Sequence, residues 1–208
     1  MPTKYQPVPS DIIKGVVEYI KTDIKPFNVE LNIRSGKTVN LGDGVGRCGG
    51  YFDGTNIVVA SKNKKWFEIL LHEYCHFLQY KDENKWYLKS TELNQSDKTL
   101  NDWLTGSKKF SIYEVDLLCT VEQKMELDCE KRVIKLIDKL NLPINKELYI
   151  KEANAYIFLY THINKYGKWC KKGPARFKKI VNLMPSVFLK EYKEMPVGYE
   201  ELVNRYCF

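Results

Sequence analysis

Apolar positions along the chain change rhythm. An early region mixes helical and strand periods, and a longer later region is dominated by the helical one. Ser10-Asp-Ile-Ile-Lys-Gly-Val-Val-Glu-Tyr-Ile places apolar side chains at 12, 13, 16, 17 and 20. This is the stripe of an amphipathic helix, with Ser10 as its expected N-cap and an end before Pro26. Val29-Glu-Leu-Asn-Ile-Arg alternates with period two and predicts a half-buried strand; Ile57-Val-Val-Ala predicts another. Between them lies Gly42-Asp-Gly-Val-Gly-Arg-Cys-Gly-Gly. Its glycines suggest a phosphate-cradling loop, but such a loop must open a helix, and here a strand follows. A turn or flap between strands is the expectation.

Residues 64–80 read as helical throughout. From 81 to 110 the chain is polar, with one short helix expected around Lys98–Leu104. Ser111-Ile-Tyr-Glu114 is a capping box, because serine and glutamate three apart can satisfy each other's backbone N–H groups. It opens a helix running to Leu140, stopped by Asn141-Leu-Pro143. Another helix is predicted over Lys146–Lys165, ended by Gly167, and Pro174, Pro185 and Pro196 break the remainder into short helices and turns. Strands early and helices late predict an α+β fold: a small early sheet packed on the helix at 64–80, then a mostly helical C-terminal half. The expected division is a core over residues 1–140 and a basic helical extension over 141–208 packed on the same domain.

Composition narrows the function classes. At 208 residues and 44% hydrophobic content the chain can bury a real core, which excludes a disordered chain. No run approaches the roughly 18 apolar residues of a membrane span, and Met1–Pro9 lacks a signal peptide's apolar core. A soluble protein without membrane association is expected. The six cysteines are scattered, with no CxxC pair, and are read as reduced thiols of a cytoplasmic protein. Net charge is +7, yet only five of the 33 basic residues are Arg. That bias is one an AT-rich genome produces unaided, and it would suit a phage protein in a host cytoplasm. Lys165–Lys193 carries nine basic residues interleaved with Tyr166, Trp169, Phe177, Phe188 and Tyr192. A single-stranded nucleic-acid surface would use such residues; a helical cap with the aromatics in its core is the favoured expectation.

The decisive residues are His72-Glu73-Tyr74-Cys75-His76, an HExxH. On a helix, positions i and i+4 stack on one side, so both imidazoles can occupy corners of a tetrahedral zinc site. Glu73, about 100° round from His72, can reach a water at the metal. Zinc lowers the pKa of that water and polarises a carbonyl, while the carboxylate takes the proton. The chain has three histidines, and two of them sit here among Ile69, Leu70, Phe77 and Leu78. A helix so apolar belongs in a core, where unpartnered imidazoles and a carboxylate are costly.

The helix over 111–140 offers the remaining ligand. With Leu118 at 0° and about 100° per residue, Val121, Met125, Cys129, Val133, Leu136 and Leu140 form an apolar arc. Glu122 and Glu126 fall within it and Glu130 at its edge. Carboxylates in a buried stripe are expensive unless paired or bound to metal. Glu126 is the expected third ligand, Glu130 a carboxylate accepting a histidine N–H or a partner for surface cations, and Glu122 the rival ligand.

HExxH followed on a later helix by Glu126-Leu-Asp-Cys-Glu130 resembles the gluzincin zinc peptidases. It is most similar to the compact ImmA/IrrE-type metallopeptidases, in which a strand feeds the HExxH helix and a later Glu-containing segment supplies the third ligand. The resemblance covers about residues 45–140, and Cys129 and Glu130 depart from it, standing where those peptidases have a small residue and Asn or Asp. It implies zinc-dependent hydrolysis of peptide bonds in a protein substrate, with Glu73 as general base. A strand near 57–60, if at the sheet edge, would hold an extended substrate by strand addition. A donor for the oxyanion would come from His162, Tyr156 or Tyr160, and His162 is also a weaker candidate for third ligand. The competing readings are a basic nucleic-acid-binding protein and a catalytically silent interaction domain with a structural metal.

Overall fold

In the computed structural model, residues 7–41, 46–96 and 99–208 are described. The fold is α+β: among the described residues the strands lie within the first 60 and the remainder is mostly helical. The chain forms two compact units. One comprises residues 1–84 and 132–144, the other 85–131 and 145–208, so neither is continuous in sequence. The limits between them fall at 84/85, 131/132 and 144/145, the second of these inside a long helix, Ile112–Lys139.

The first unit opens with α1 (Ser10–Ile24), which buries Val16, Ile20 and Ile24. Ser10 is its first helical residue, not its cap: Pro9 holds the N-cap position, without a side-chain hydrogen bond. The fixed φ of proline already suits the helix entrance, so the serine hydroxyl is not needed there. A short 3-10 turn over Lys25–Phe27 leads to Asn28, whose φ of 55° turns the chain into β1 (Glu30–Arg34). β2 (Val39–Asn40) and β3 (Arg47–Cys48) form an antiparallel pair. Gly42–Val45 of the glycine-rich segment lie outside the described residues. β4 (Gly50–Phe52) and β5 (Asn56–Ala60) complete a three-stranded sheet in the order β1-β5-β4.

β1 runs parallel to β5 and β4 antiparallel to it. The strand at 56–60 is therefore central, so the edge position on which substrate addition there depended is not met. The sequence explains why: Ile57, Val58, Val59 and Ala60 are all buried, a continuous apolar run of the kind that central strands carry. The edges are β1 and β4.

α2 (Trp66–Lys81) packs against β4 and β5. The approach is close because Gly49 and Gly50 lack side chains. A Cβ on Gly50 would stand 2.7 Å from Ile69 Cγ2 and 2.8 Å from the Val58 carbonyl oxygen; one on Gly49 would stand 2.5 Å from Ile69 Cδ1. Tyr74 anchors the helix to α1 by donating its hydroxyl to Asp23 at 2.8 Å, and Lys81 pairs with the same carboxylate at 2.9 Å. Phe77 takes edge contacts from Phe27 and Phe52.

The second unit begins with α3 (Lys85–Gln95), a helix the sequence reading did not predict. Its apolar residues Trp86-Tyr87-Leu88 are consecutive, not spaced by a turn, and only Ser90 is buried. α4 (Leu100–Leu104) has the capping box Thr99/Asp102 and matches the short helix expected there; Lys98 lies outside the described residues. α5 (Ile112–Lys139) opens as expected: the Ser111 N–H donates to Glu114 Oε2 at 2.9 Å, and the Glu114 N–H to Ser111 Oγ at 3.3 Å. Asn141, at φ 47°, ends the helical run after α5. α6 (Lys146–Tyr166) is capped by Asn145 and stopped by Gly167 at φ 62°.

α6 is buried round most of its circumference, with Ile157, Phe158, Leu159 and Ile163 fully inside. Around it lie a 3-10 turn at Pro174–Arg176, α7 (Lys178–Val181) and α8 (Tyr199–Tyr206). Asn154 ties this covering down by donating to the carbonyls of Pro185 and Val187 at 2.8 and 2.9 Å. Of the aromatics interleaved with lysines, Tyr192 is buried and Phe177 and Phe188 pack on the same core, whereas Trp169 is 47% exposed. Among the described residues no helix is long and apolar enough to cross a membrane.

Two glycines should respond oppositely to alanine. Gly50→Ala forces a methyl into Ile69 and the Val58 carbonyl and should cost about 1–3 kcal/mol in urea unfolding. Gly15, inside α1 with nothing within 4 Å of a built Cβ, should gain about 0.5–1 kcal/mol as Gly15→Ala through helix propensity.

Candidate metal centre

His72, Glu73 and His76 ride on α2, whose core-facing residues Phe67, Leu70, Leu71 and Phe77 fix its rotation. Glu73 and His76 are 7% and 8% exposed, and His72 is half-buried. The imidazoles meet edge to face, with ring centroids 4.6 Å apart at 88°. Their Nε2 atoms converge to 3.1 Å. Two nitrogens on one tetrahedral zinc stand about 3.3 Å apart, so the pair is spaced as two ligands of one ion.

Gln79 sets the chemistry of the pair. Its Oε1 lies 2.8 Å from His76 Nδ1. An acceptor there keeps the proton on Nδ1 and leaves Nε2 with its lone pair, which is the tautomer a metal ligand needs. Gln79 is completely buried. The sequence reading missed it, although a glutamine three residues beyond a histidine on one helix face is a visible signal. Burial, reinforced by the neighbouring His72, pulls the His76 pKa down to about 3. The ring is thus neutral and ligand-competent across the physiological range.

Glu73 reaches toward the strands. Ile69 and Glu73 stack one turn apart, Gly49 and Gly50 lie against Ile69, and the Cys48 thiol is raised by burial and by the Glu73 charge.

On α5, Glu126 and Glu130 are each 7% exposed, and Cys129 is fully buried. The arc drawn from the sequence is therefore an inward face, widened by Leu127. Each outer carboxylate has a dedicated donor: the Ser90 hydroxyl to Glu122 at 2.7 Å and the Tyr149 hydroxyl to Glu130 at 2.6 Å. Burial raises the Glu122 pKa, and Ser90 partly offsets this. The first unit thus supplies His72 and His76, and the second Glu126, Cys129 and Glu130, as side chains of the kinds that hold a metal ion. Cys129, which the sequence reading counted only as part of the apolar arc, is a donor of the soft type zinc accepts.

Tyr160 is buried, and its phenol stays protonated because of burial, then Tyr156, then the charges of Glu126 and Glu122. The Tyr156 and Tyr160 hydroxyls lie 3.4 Å apart. His162 is placed elsewhere. It is fully buried, its Nε2 is 3.1 Å from Asn204 Oδ1 on α8, and its ring stacks on Phe208. Along α6 it stands 13 residues, about 20 Å, beyond Tyr149, which holds Glu130. Burial lowers its pKa, and it belongs to neither ligand group.

Comparison with family models, curated proteins and solved structures finds no match for this chain.

The His76 shift carries a pH signature. Unfolded, the ring binds a proton near pH 6.5; folded, only near 3. The neutral ring's contribution is full above pH 6.5 and lost as pH falls through that window, by up to about 1.4 kcal/mol per pH unit. Urea unfolding of the metal-free protein from pH 7.5 to 4.5 should show this slope, and His76→Gln should flatten it.

Proposed function

We propose that this protein is a zinc-dependent metallopeptidase that hydrolyses peptide bonds of a protein substrate. The convergence of His72 and His76 Nε2 at 3.1 Å on a buried helix carries the reading. Without an ion, a proton on His72 Nε2 can bridge to His76 Nε2; a shared cation engages both lone pairs at once. Two imidazoles joined by a carboxylate or thiolate make a donor set that suits zinc.

When bound, zinc supplies Lewis acidity toward a carbonyl and lowers the pKa of a water in its open position. The chain's own residues do the rest. His72 and His76 hold the ion, with His76 kept in its ligating tautomer by Gln79. Glu126, buried on the inward face of α5, is the assigned third ligand; Cys129 is the competing donor. The Glu73 carboxylate accepts the proton of the attacking water and returns it to the leaving amine. The Tyr160 and Tyr156 hydroxyls, kept protonated, are the candidate donors for the oxyanion. β4, an edge strand against α2, is the strand to which an extended polypeptide would add. The six free thiols suit a cytoplasmic location.

Purified protein should contain about one zinc per chain. Glu73→Gln should keep that zinc while cleavage of casein falls by about 10²–10⁴-fold, and His76→Ala should lose the metal. A protein without divalent metal, or a Glu73→Gln variant with undiminished peptidase activity, would overturn the proposal.

A further inference from the structure

Cys170 and Cys207 lie far apart in sequence but are neighbours in the second unit. The N–H of Lys171 donates to the Cys207 carbonyl at 2.8 Å, and that of Lys172 to the same oxygen at 3.4 Å. The first bond fixes the separation of the two cysteines. About 2.4 Å separates each Cα from the bonded atom at its end, so the two Cα atoms are at most about 7.6 Å apart. In a trans peptide the Cys170 Cα lies roughly at right angles to the Lys171 N–H, so the path is strongly bent and the separation falls below the roughly 6.8 Å upper limit that a disulfide spans. Both side chains face the same apolar cluster, at 7% and 1% exposure. Each thiol also registers electrically on the Tyr199 ring packed there, and Cys170 on Cys207.

We propose that Cys170 and Cys207 are a redox-modifiable thiol pair that closes to an intramolecular disulfide, stapling the segment after α6 to the end of α8. With a peroxide as oxidant the step is balanced. The Cys170 sulfur, the more exposed of the two and the one beside the Arg176 charge, attacks a peroxide oxygen. The O–O bond breaks, leaving a sulfenic acid and water. The Cys207 sulfur then displaces the sulfenic oxygen as a second water, and the S–S bond forms. Two thiols lose two electrons and two protons, and one hydrogen peroxide becomes two waters. Burial keeps both groups as thiols at neutral pH, so closure is slow there and quickens as pH rises.

This inference is independent of the metal reading, since neither cysteine belongs to a candidate ligand group. The test is hydrogen peroxide treatment of the folded full-length protein at pH 8.5, followed by non-reducing digestion and mass spectrometry. The expected product is a 170–207 cross-linked peptide, 2 Da lighter than the two thiol peptides together and released by dithiothreitol. The cross-link removes freedom from the unfolded chain, so the oxidised protein should melt several degrees higher than the reduced one. Cys170→Ser and Cys207→Ser should each abolish both the cross-link and the shift. Should either variant fail to fold, the wild-type peptide map decides alone. Absence of the 170–207 peptide, or preferential pairing of either cysteine with another, overturns the proposal.

Discussion

Two imidazole nitrogens facing each other inside an apolar helix are the constraint to which the rest of the first unit answers. Neutral imidazoles brought this close repel through their lone pairs unless something positive lies between them or one carries a proton toward the other. The protein fixes the arrangement from both ends. Phe67, Leu70, Leu71 and Phe77 set the rotation of α2, and Gln79 sets the proton on His76. Neither device alone would serve, because rotation without tautomer control presents N–H to N–H, and tautomer control without rotation points the lone pair into hydrocarbon. The low pKa of His76 follows from the same burial, so the ring's readiness to ligate and the unit's sensitivity to acid have one cause.

The second unit solves a related problem on α5. Three glutamates one turn apart would repel one another if left bare, and the two outer ones are each assigned a hydroxyl, Ser90 for Glu122 and Tyr149 for Glu130. Hydroxyl donors favour the ionised form without adding charge, and at Glu122 burial works against this. Tyr160 of α6 remains protonated because burial, Tyr156 and the neighbouring carboxylates all oppose a phenolate. Acceptors on one helix and obligatory donors on the next make a polar seam within an otherwise apolar unit.

Much of this was legible beforehand. The HExxH put two imidazoles on one helix face through the i, i+4 rule alone, and the arc on α5 picked out Glu122 and Glu126 as inward carboxylates; Glu130, placed at its edge, is buried as well. Helix ends marked by chemistry were read correctly: the Ser111/Glu114 box, the left-handed Asn141 and the Gly167 stop. What failed had no local signal, or a misleading one. Ser10 has the chemistry of a cap, yet Pro9 occupies that position. α3 is held with little burial, so no periodicity betrays it. Which strand is central was left open, and the continuous apolar run of β5 is the signal that its parallel pairing with β1 bears out. His162 was drawn into the catalytic discussion as the one remaining histidine, and scarcity proved a poor guide to position: it belongs to the packing of α6 against α8.

The first unit is discontinuous, closed by residues 132–144. A ribosome delivers α2 long before it delivers that closing piece. During synthesis the histidine helix therefore waits with Leu70 and Phe77 already made and part of its unit still to come, a state prone to sticky off-pathway association. The order of translation thus keeps the first unit incomplete until its last segment, residues 132–144, has been made.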